Sequence, residues 1–158
     1  MSIKNWKTYA FWILLAEAVG GLSGFLTRDG AKAYSEQVIQ PAFSPPSAVF
    51  HVVWAILYVL MGLSAARVYL APASNNRSRA LAIWLGQLAV NFFWSIIFFN
   101  ARRYAFALLW LGLLWGLVLW MLLLVRRVDK PAAWLQVPYL LWVSFAAYLN
   151  YGVWVLNR

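Results

Sequence analysis

The polar side chains with the most suggestive spacing in this chain lie within long apolar segments. Gln87, Asn91 and Trp94 follow one another at steps of four and three residues, so a helix would place two amides and an indole on one face. Amides are costly in an apolar environment unless they hydrogen-bond to a neighbouring helix or face a cavity. This face therefore predicts recognition through hydrogen bonds.

Two other segments carry large rings at the same helical spacing. They contain Phe50, Trp54, Tyr58 and Met61 in one case, and Tyr139, Trp142, Ala146 and Asn150 in the other. Such rings stack on the faces of a large, flat, apolar ligand, while a few amide and phenol groups fix its orientation. A tetrapyrrole or a sterol fits this description. The alternative, which stays open for Trp54 and Trp142, is that the rings are core packing and interfacial anchors.

Ionisable groups inside the apolar segments are few. Glu17 is either a functional group or a structural partner for Gln87 or Asn91, and the sequence leaves both open. His51, the single histidine, has the chemistry to bind a haem iron, but without a second ligand we expect an interfacial polar residue. We expect no metal site and no obligatory cofactor. Because the segments lack an acid, base or metal constellation, binding is favoured over catalysis.

These side chains must be positioned by five apolar segments that fill most of the chain. The segments run from Trp6 to Leu26, Ala48 to Leu70, Leu81 to Phe99, Tyr104 to Val125 and Trp134 to Leu156. Each holds about 19 to 23 residues, which matches the roughly 20 that a helix needs to cross a bilayer. Strands of a membrane barrel would be shorter and would alternate in polarity. The predicted fold is an all-α integral membrane protein, a single domain of five transmembrane helices over residues 1–158.

Composition and charge agree with a membrane protein. Hydrophobic residues make up 65% of the chain, charged residues make up 11%, and the mean hydropathy is +0.71. Nearly all of the net charge of +9 lies in loops and tails, so it reports topology, and no nucleic-acid partner is expected. Basic residues are more numerous on the side of the N-terminus. We predict a multi-pass protein of a bacterial cell membrane, with a retained first helix and the N-terminus inside.

The first loop, residues 27–47, is longer than a simple connection requires. Pro41, Pro45 and Pro46 fix the backbone at three nearby positions and stop any helix from passing through. A long loop with fixed turns is more typical of a lid or binding loop than of slack chain. A disordered surface linker is the alternative.

The residues around this loop and along the later segments resemble the translocator protein family, also called the tryptophan-rich sensory protein (TspO/MBR) or peripheral benzodiazepine receptor family. The family pattern P-x-W-x-P-P followed by F-x-x-x-W-x-x-L-Y is matched by Pro41, Phe43, Pro45, Pro46, Phe50, Trp54, Leu57 and Tyr58. Further matches are the stretches 86–91, 97–99, 101–102, 138–142 and 149–151, together with Trp94. The resemblance covers nearly the whole chain.

The resemblance implies a five-helix bundle with a cavity under the first loop that binds protoporphyrin IX, haem-type tetrapyrroles and benzodiazepine-site ligands. The ligand-binding residues that we predict are Tyr34, Phe43, Phe50, Trp54, Asn91, Trp94, Tyr139, Trp142 and Ala146. It also implies a homodimer through the third span, where Ala82 and Gly86 form a small-residue motif. Some bacterial members look like light-dependent porphyrin degraders, in which Trp54 and Trp142 would be the catalytic indoles.

Two departures from the family limit what can be carried over. Phe43 stands where the family usually has tryptophan, which removes an indole N–H donor from the loop. The C-terminal cholesterol motif fails because six residues separate Tyr151 from Arg158, so sterol binding is unsupported. We favour a membrane receptor or sensor that modulates porphyrin homeostasis or signalling. Porphyrin degradation and transport of lipid or tetrapyrrole are the alternatives, although few buried charges and no broken repeats argue against transport.

Overall fold

The computed structural model describes residues 3–158, and helices make up most of that range. The six α-helices are α1 (Trp6–Leu26), α2 (Arg28–Gln37), α3 (Ser47–Leu70), α4 (Asn75–Ser95), α5 (Tyr104–Val128) and α6 (Lys130–Leu156). A short 3₁₀ turn, Ile3–Asn5, precedes α1, and a π-helical turn, Ile96–Asn100, continues α4. No strand occurs within the described residues. The predicted all-α fold is confirmed.

Five of these helices are long and apolar enough to cross a membrane: α1, α3, α4 with its π-helical turn, α5 and α6. The α4 and α6 helices begin earlier than their apolar segments, because polar residues cap them. The Ser74 hydroxyl accepts a hydrogen bond from the backbone N–H of Arg77 at 3.1 Å, and the Asp129 carboxylate accepts one from the N–H of Ala132 at 2.8 Å. Hydropathy marks the part of a helix that lies in lipid, whereas caps mark where the helix starts.

The five spans form a closed ring around one core. In that ring α1 packs on α3, α3 on α6, α6 on α5, α5 on α4, and α4 on α1. Gly62 of α3 lies against the backbone of Ile13, so any larger residue there would separate α1 from α3. Met61, Leu114 and Met121 are fully buried at the centre.

The first loop contains an additional helix, α2, which its polar sequence did not predict. After α2 the chain contains a turn at residues 42–43 and is hydrogen-bonded to the C-terminal part of α6. The Asn157 side-chain amide accepts a hydrogen bond from Ile39 N–H at 3.0 Å and donates one to Ile39 C=O at 2.8 Å. The Tyr148 hydroxyl donates to the carbonyl of Ala42 at 3.0 Å. Pairing of both backbone groups of Ile39 gives the segment a defined path.

Candidate functional site

A cavity of about 670 Å³ lies beneath α2. Its walls come from α1, α3, the end of α4 with its π-helical turn, and the upper part of α6. The proline-rich segment contributes Gln40, Ser44 and Pro45 to the rim. Pro45 and Pro46 prevent a helix from continuing through the loop, as predicted, and α3 begins directly after them at Ser47, beside the cavity. Volumes between about 300 and 1,000 Å³ are typical of small-molecule sites.

Aromatic rings form the α3 wall. The Trp54 indole stacks on the Tyr58 ring with centroids 5.6 Å apart and an interplanar angle of 29°, and Phe50 lies one turn above, 6.3 Å from Trp54. At the end of α4, Trp94 stacks on Phe98 of the π-helical turn at 5.0 Å. All five side chains line the cavity, so much of its surface is aromatic.

The α1 wall is built from glycine instead. The Tyr58 ring occupies the space in which Gly20 would carry a side chain, so α1 and α3 approach closely at that level. At Gly21 and Gly24 an added Cβ would meet no atom within 4 Å. Both residues line the cavity, so the absent side chains enlarge it. Glu17, Gly21 and Gly24 follow one another at steps of four and three residues, so the sequence already indicates that they share one face of α1.

Tyr34 of α2 closes the cavity from above. Its ring contacts Phe98 and Phe99 with centroid distances of 5.3 and 5.4 Å. This approach depends on Gly30, where a Cβ would come within 2.7 Å of the backbone oxygen of Phe99. Burial, with a smaller contribution from Tyr104, raises the pKa of the Tyr34 phenol to about 12. The phenol therefore stays neutral at physiological pH, and Tyr34 adds no charge to the cavity lining.

A network of hydrogen bonds supports the cavity from below. The Tyr139 hydroxyl donates to Gln87 at 2.6 Å and accepts from the Asn91 amide at 2.7 Å. The Tyr58 hydroxyl contacts the Asn91 side-chain oxygen at 3.4 Å. The helix face that carries Gln87 and Asn91 is thus buried, and its amides are paired with α3 and α6. Trp94, on the same face, donates its indole N–H to Asn150 at 3.1 Å.

The predicted ligand-binding residues occupy four different places. Five of them line the cavity: Tyr34, Phe50, Trp54, Trp94 and Ala146. Asn91 and Tyr139 lie behind the wall, in the network just described. The remaining two, Phe43 and Trp142, are outside both groups.

Phe43 and Trp142 take positions that spacing alone does not reveal. The Phe43 side chain is 86% exposed, at a residue with a left-handed φ of 66°. Trp142 packs against Phe50 at 5.6 Å and lines a separate apolar groove between α3 and α6. Its buried indole N–H has no hydrogen-bond partner among residues 3–158. Trp142 therefore approaches the cavity only through Phe50.

Ionisable side chains from three helices also line the cavity, and the sequence alone did not place them together. Glu17 lines the cavity and makes no hydrogen bond or ion pair with any described residue; Gln87 and Asn91 are bonded elsewhere. Arg28 and Lys32 line the opposite end, next to α2. His51 is also at the lining, with Nδ1 2.7 Å from the carbonyl of Ser47. Among residues 3–158, no three His, Cys, Asp or Glu side chains come together as a metal-binding group.

The small-residue motif of the third span faces outward. Ala82 and Gly86 are exposed on α4, and a Cβ at Gly86 would meet nothing within 4 Å. Gly112 and Gly116 of α5 are equally open. Within the part of the chain that the structure describes, no other helix covers either pair.

Comparison with known proteins gives one consistent result. The family model described as the TspO/MBR family matches residues 12–155. The chain is 36% identical over 155 residues to the tryptophan-rich protein TspO of Chlorobaculum tepidum, covering 98% of each chain. It is 40% identical over 158 residues to protein CrtK of Rhodobacter capsulatus, covering 99% of this chain and 95% of the relative. It is also 33% identical over 148 residues to the translocator protein of Ovis aries, covering 91% of this chain and 87% of that one.

Proposed function

The chain belongs to the TspO/MBR family, and we propose that it is a membrane receptor or sensor that binds tetrapyrroles such as protoporphyrin IX, and benzodiazepine-site ligands, in the cavity beneath α2. The observation that carries the proposal is that two stacked aromatic pairs, Trp54 with Tyr58 and Trp94 with Phe98, line one space of about 670 Å³. A flat ring system can stack on such walls. The five transmembrane helices make the protein an integral, multi-pass membrane protein.

Charge at the α2 end of the cavity supports an acidic tetrapyrrole. Arg28 and Lys32 both line the cavity there and are exposed. A ligand that inserts its apolar ring between the walls and leaves its carboxylates near these cations would avoid burying charge in lipid. Protoporphyrin IX carries its two carboxylates on one edge and matches this arrangement.

The test is a protoporphyrin IX titration of purified protein in the dark, followed by quenching of tryptophan fluorescence. We expect saturable binding near one ligand per chain. Trp54→Ala should weaken binding about tenfold, because it removes a wall of the cavity and one stacking partner. Trp142→Phe should bind as tightly as the parent protein, because its indole N–H bonds to nothing and its ring lies behind Phe50. Equal affinity in the parent and the Trp54 variant would exclude the proposed wall.

Light-dependent porphyrin degradation is the second candidate, since the Trp54 indole faces the cavity directly. Illumination of bound porphyrin would supply the reactive species. The same titration under light separates the two functions: a stable porphyrin spectrum supports a receptor or sensor. Bleaching that disappears in Trp54→Phe would assign catalysis to this indole.

We also propose a homodimer through the outer face of α4, in a bacterial cell membrane with the N-terminus inside. The exposed Ala82 and Gly86 would let a second α4 approach closely. The excess of basic residues on the side of the N-terminus supports the orientation.

A further inference from the structure

We propose that Glu17 forms a second binding subsite, at the deep end of the cavity, that accepts a protonated amine or another N–H donor of a flat apolar ligand. The inference rests on the proposed function only in using the same cavity. It adds a second class of ligand, planar apolar amines, which differ from an acidic porphyrin in carrying a cationic or N–H donor group. The structure supports it through the position, the isolation and the electrostatic surroundings of this carboxylate.

Glu17 lies on the side of α1 that faces the cavity. Glu17, Gly20, Gly21 and Gly24 recur at helical spacing, and all four line the cavity. Because three of them lack a side chain, the carboxylate is the first large polar group on this wall below the α2 end. Glu17 also lies well inside the span Ile3–Leu26, away from either end.

The isolation of Glu17 is unusual for a carboxylate in a membrane span. Of the described residues, none hydrogen-bonds or ion-pairs with it. Gln87 and Asn91, the two amides that the sequence offered as partners, are bonded to Tyr139 instead. An ionisable group within a span is costly unless it is paired, so a carboxylate that faces a cavity points to a partner from outside the chain.

Charged residues of opposite sign lie at different ends of the cavity. Glu17 lies nine positions before the end of α1, roughly 14 Å along the helix axis, and Arg28 and Lys32 follow that end on α2. The other ionisable groups of the lining are Tyr34, His51 and Tyr58. The cavity thus carries a carboxylate at one end and two cations at the other. An ammonium or N–H group would be drawn to the Glu17 end and repelled from the α2 end.

The experiment uses 9-aminoacridine, a planar dye that is cationic at neutral pH, and anthracene, its neutral counterpart in shape. Both are titrated against the full chain in nanodiscs of uncharged lipid, so that the lipid surface does not attract the cation. We expect Glu17→Gln to weaken 9-aminoacridine binding about tenfold or more, as expected for loss of a hydrogen bond to a charged group. Anthracene binding should change little.

Two matched variants complete the test. Asp29→Asn removes an exposed carboxylate of α2 that does not line the cavity, and it should leave the dye affinity unchanged. Gly24→Leu should block both dyes, because the new side chain would fill open cavity space. Equal affinity of the parent protein and Glu17→Gln for 9-aminoacridine would overturn the proposal, as would absence of saturable dye binding.

Protoporphyrin IX, titrated into the same variants, separates this proposal from the proposed function. Porphyrin binding that survives in Glu17→Gln while amine binding falls would support both. If the dye binds through Glu17 but porphyrin does not bind, the subsite stands and the porphyrin proposal fails. Loss of both ligands in Glu17→Gln would contradict an amine-specific role for the carboxylate.

Discussion

Tyr139 is the residue that joins the helices beneath the cavity. Its fully buried hydroxyl bonds to Gln87 and Asn91, both on α4. Tyr139→Phe would leave a buried amide oxygen and a buried amide N–H without partners. We expect the free energy of unfolding to fall by about 1–2 kcal/mol, measured by titration of detergent-solubilised protein with sodium dodecyl sulphate.

The control for Tyr139 is Tyr69→Phe. Tyr69 is 45% exposed, and no hydrogen bond of its hydroxyl occurs within the described residues. This variant should unfold like the parent protein. Equal stability of all three proteins would show that the network contributes nothing to the bundle.

Helical spacing determined which residues share a face, but not what that face meets. Gln87, Asn91 and Trp94 are buried together, as their spacing predicted, since amides in a span must be paired. Nothing in the sequence favoured either Trp54 or Trp142 over the other as a ligand-binding residue. In the structure Trp54 lines the cavity, whereas Trp142 lines a separate groove. Which ring faces which space depends on how α3 and α6 pack, and residue spacing within one helix does not contain that information.

At the scale of elements, α2 was the one helix that the sequence analysis missed. Its ten residues are mostly polar and too few to cross a membrane, so hydropathy gives no signal. Tertiary contact supports it instead: Gly30 fits against Phe99, and Tyr34 packs on the rings of the π-helical turn. The five spans were predictable because their length and continuous apolar character are imposed by the bilayer.

The connection between α2 and α3 gives an element-scale prediction. Asn157→Ala removes both side-chain hydrogen bonds to Ile39 and frees the segment from the end of α6. We expect faster amide hydrogen exchange at Ile39 and faster release of bound porphyrin, with the helices intact. Asn75→Ala, an exposed residue at the start of α4, is the control and should change neither rate. Unchanged exchange in Asn157→Ala would mean that Asn157 does not hold this segment.

At the scale of the whole molecule, the proposed homodimer depends on the outer face of α4. Gly86→Leu places a bulky side chain where a Cβ meets nothing within the chain, so the fold should be kept while close approach of a second α4 is blocked. We expect a shift from dimer to monomer, measured by light scattering of the detergent complex. Gly112→Leu, equally open on α5, should remain dimeric. A dimer in both variants would exclude the α4 interface.

At the scale of the whole molecule, some features could be predicted from the sequence and the cavity could not. Membrane class, the number of transmembrane helices and the family followed from apolar segments and from motifs between Pro41 and Tyr151. The cavity did not, because it forms where α2, the glycine face of α1 and the aromatic face of α3 come together. Gly21 and Gly24 illustrate this: an added Cβ at either residue would meet no atom within 4 Å, and both line the cavity, which the sequence of α1 alone does not reveal.

The most direct test of the central claim, that the cavity beneath α2 is the ligand site, fills this space from within. Gly24→Leu and the control Gly116→Leu both add a side chain where the structure leaves room, but only Gly24 lines the cavity. In a dark titration with protoporphyrin IX, we predict that Gly24→Leu loses saturable tryptophan quenching while Gly116→Leu keeps the parent affinity. Parent-like binding by Gly24→Leu, in a protein that is folded and thermally stable, would contradict the claim.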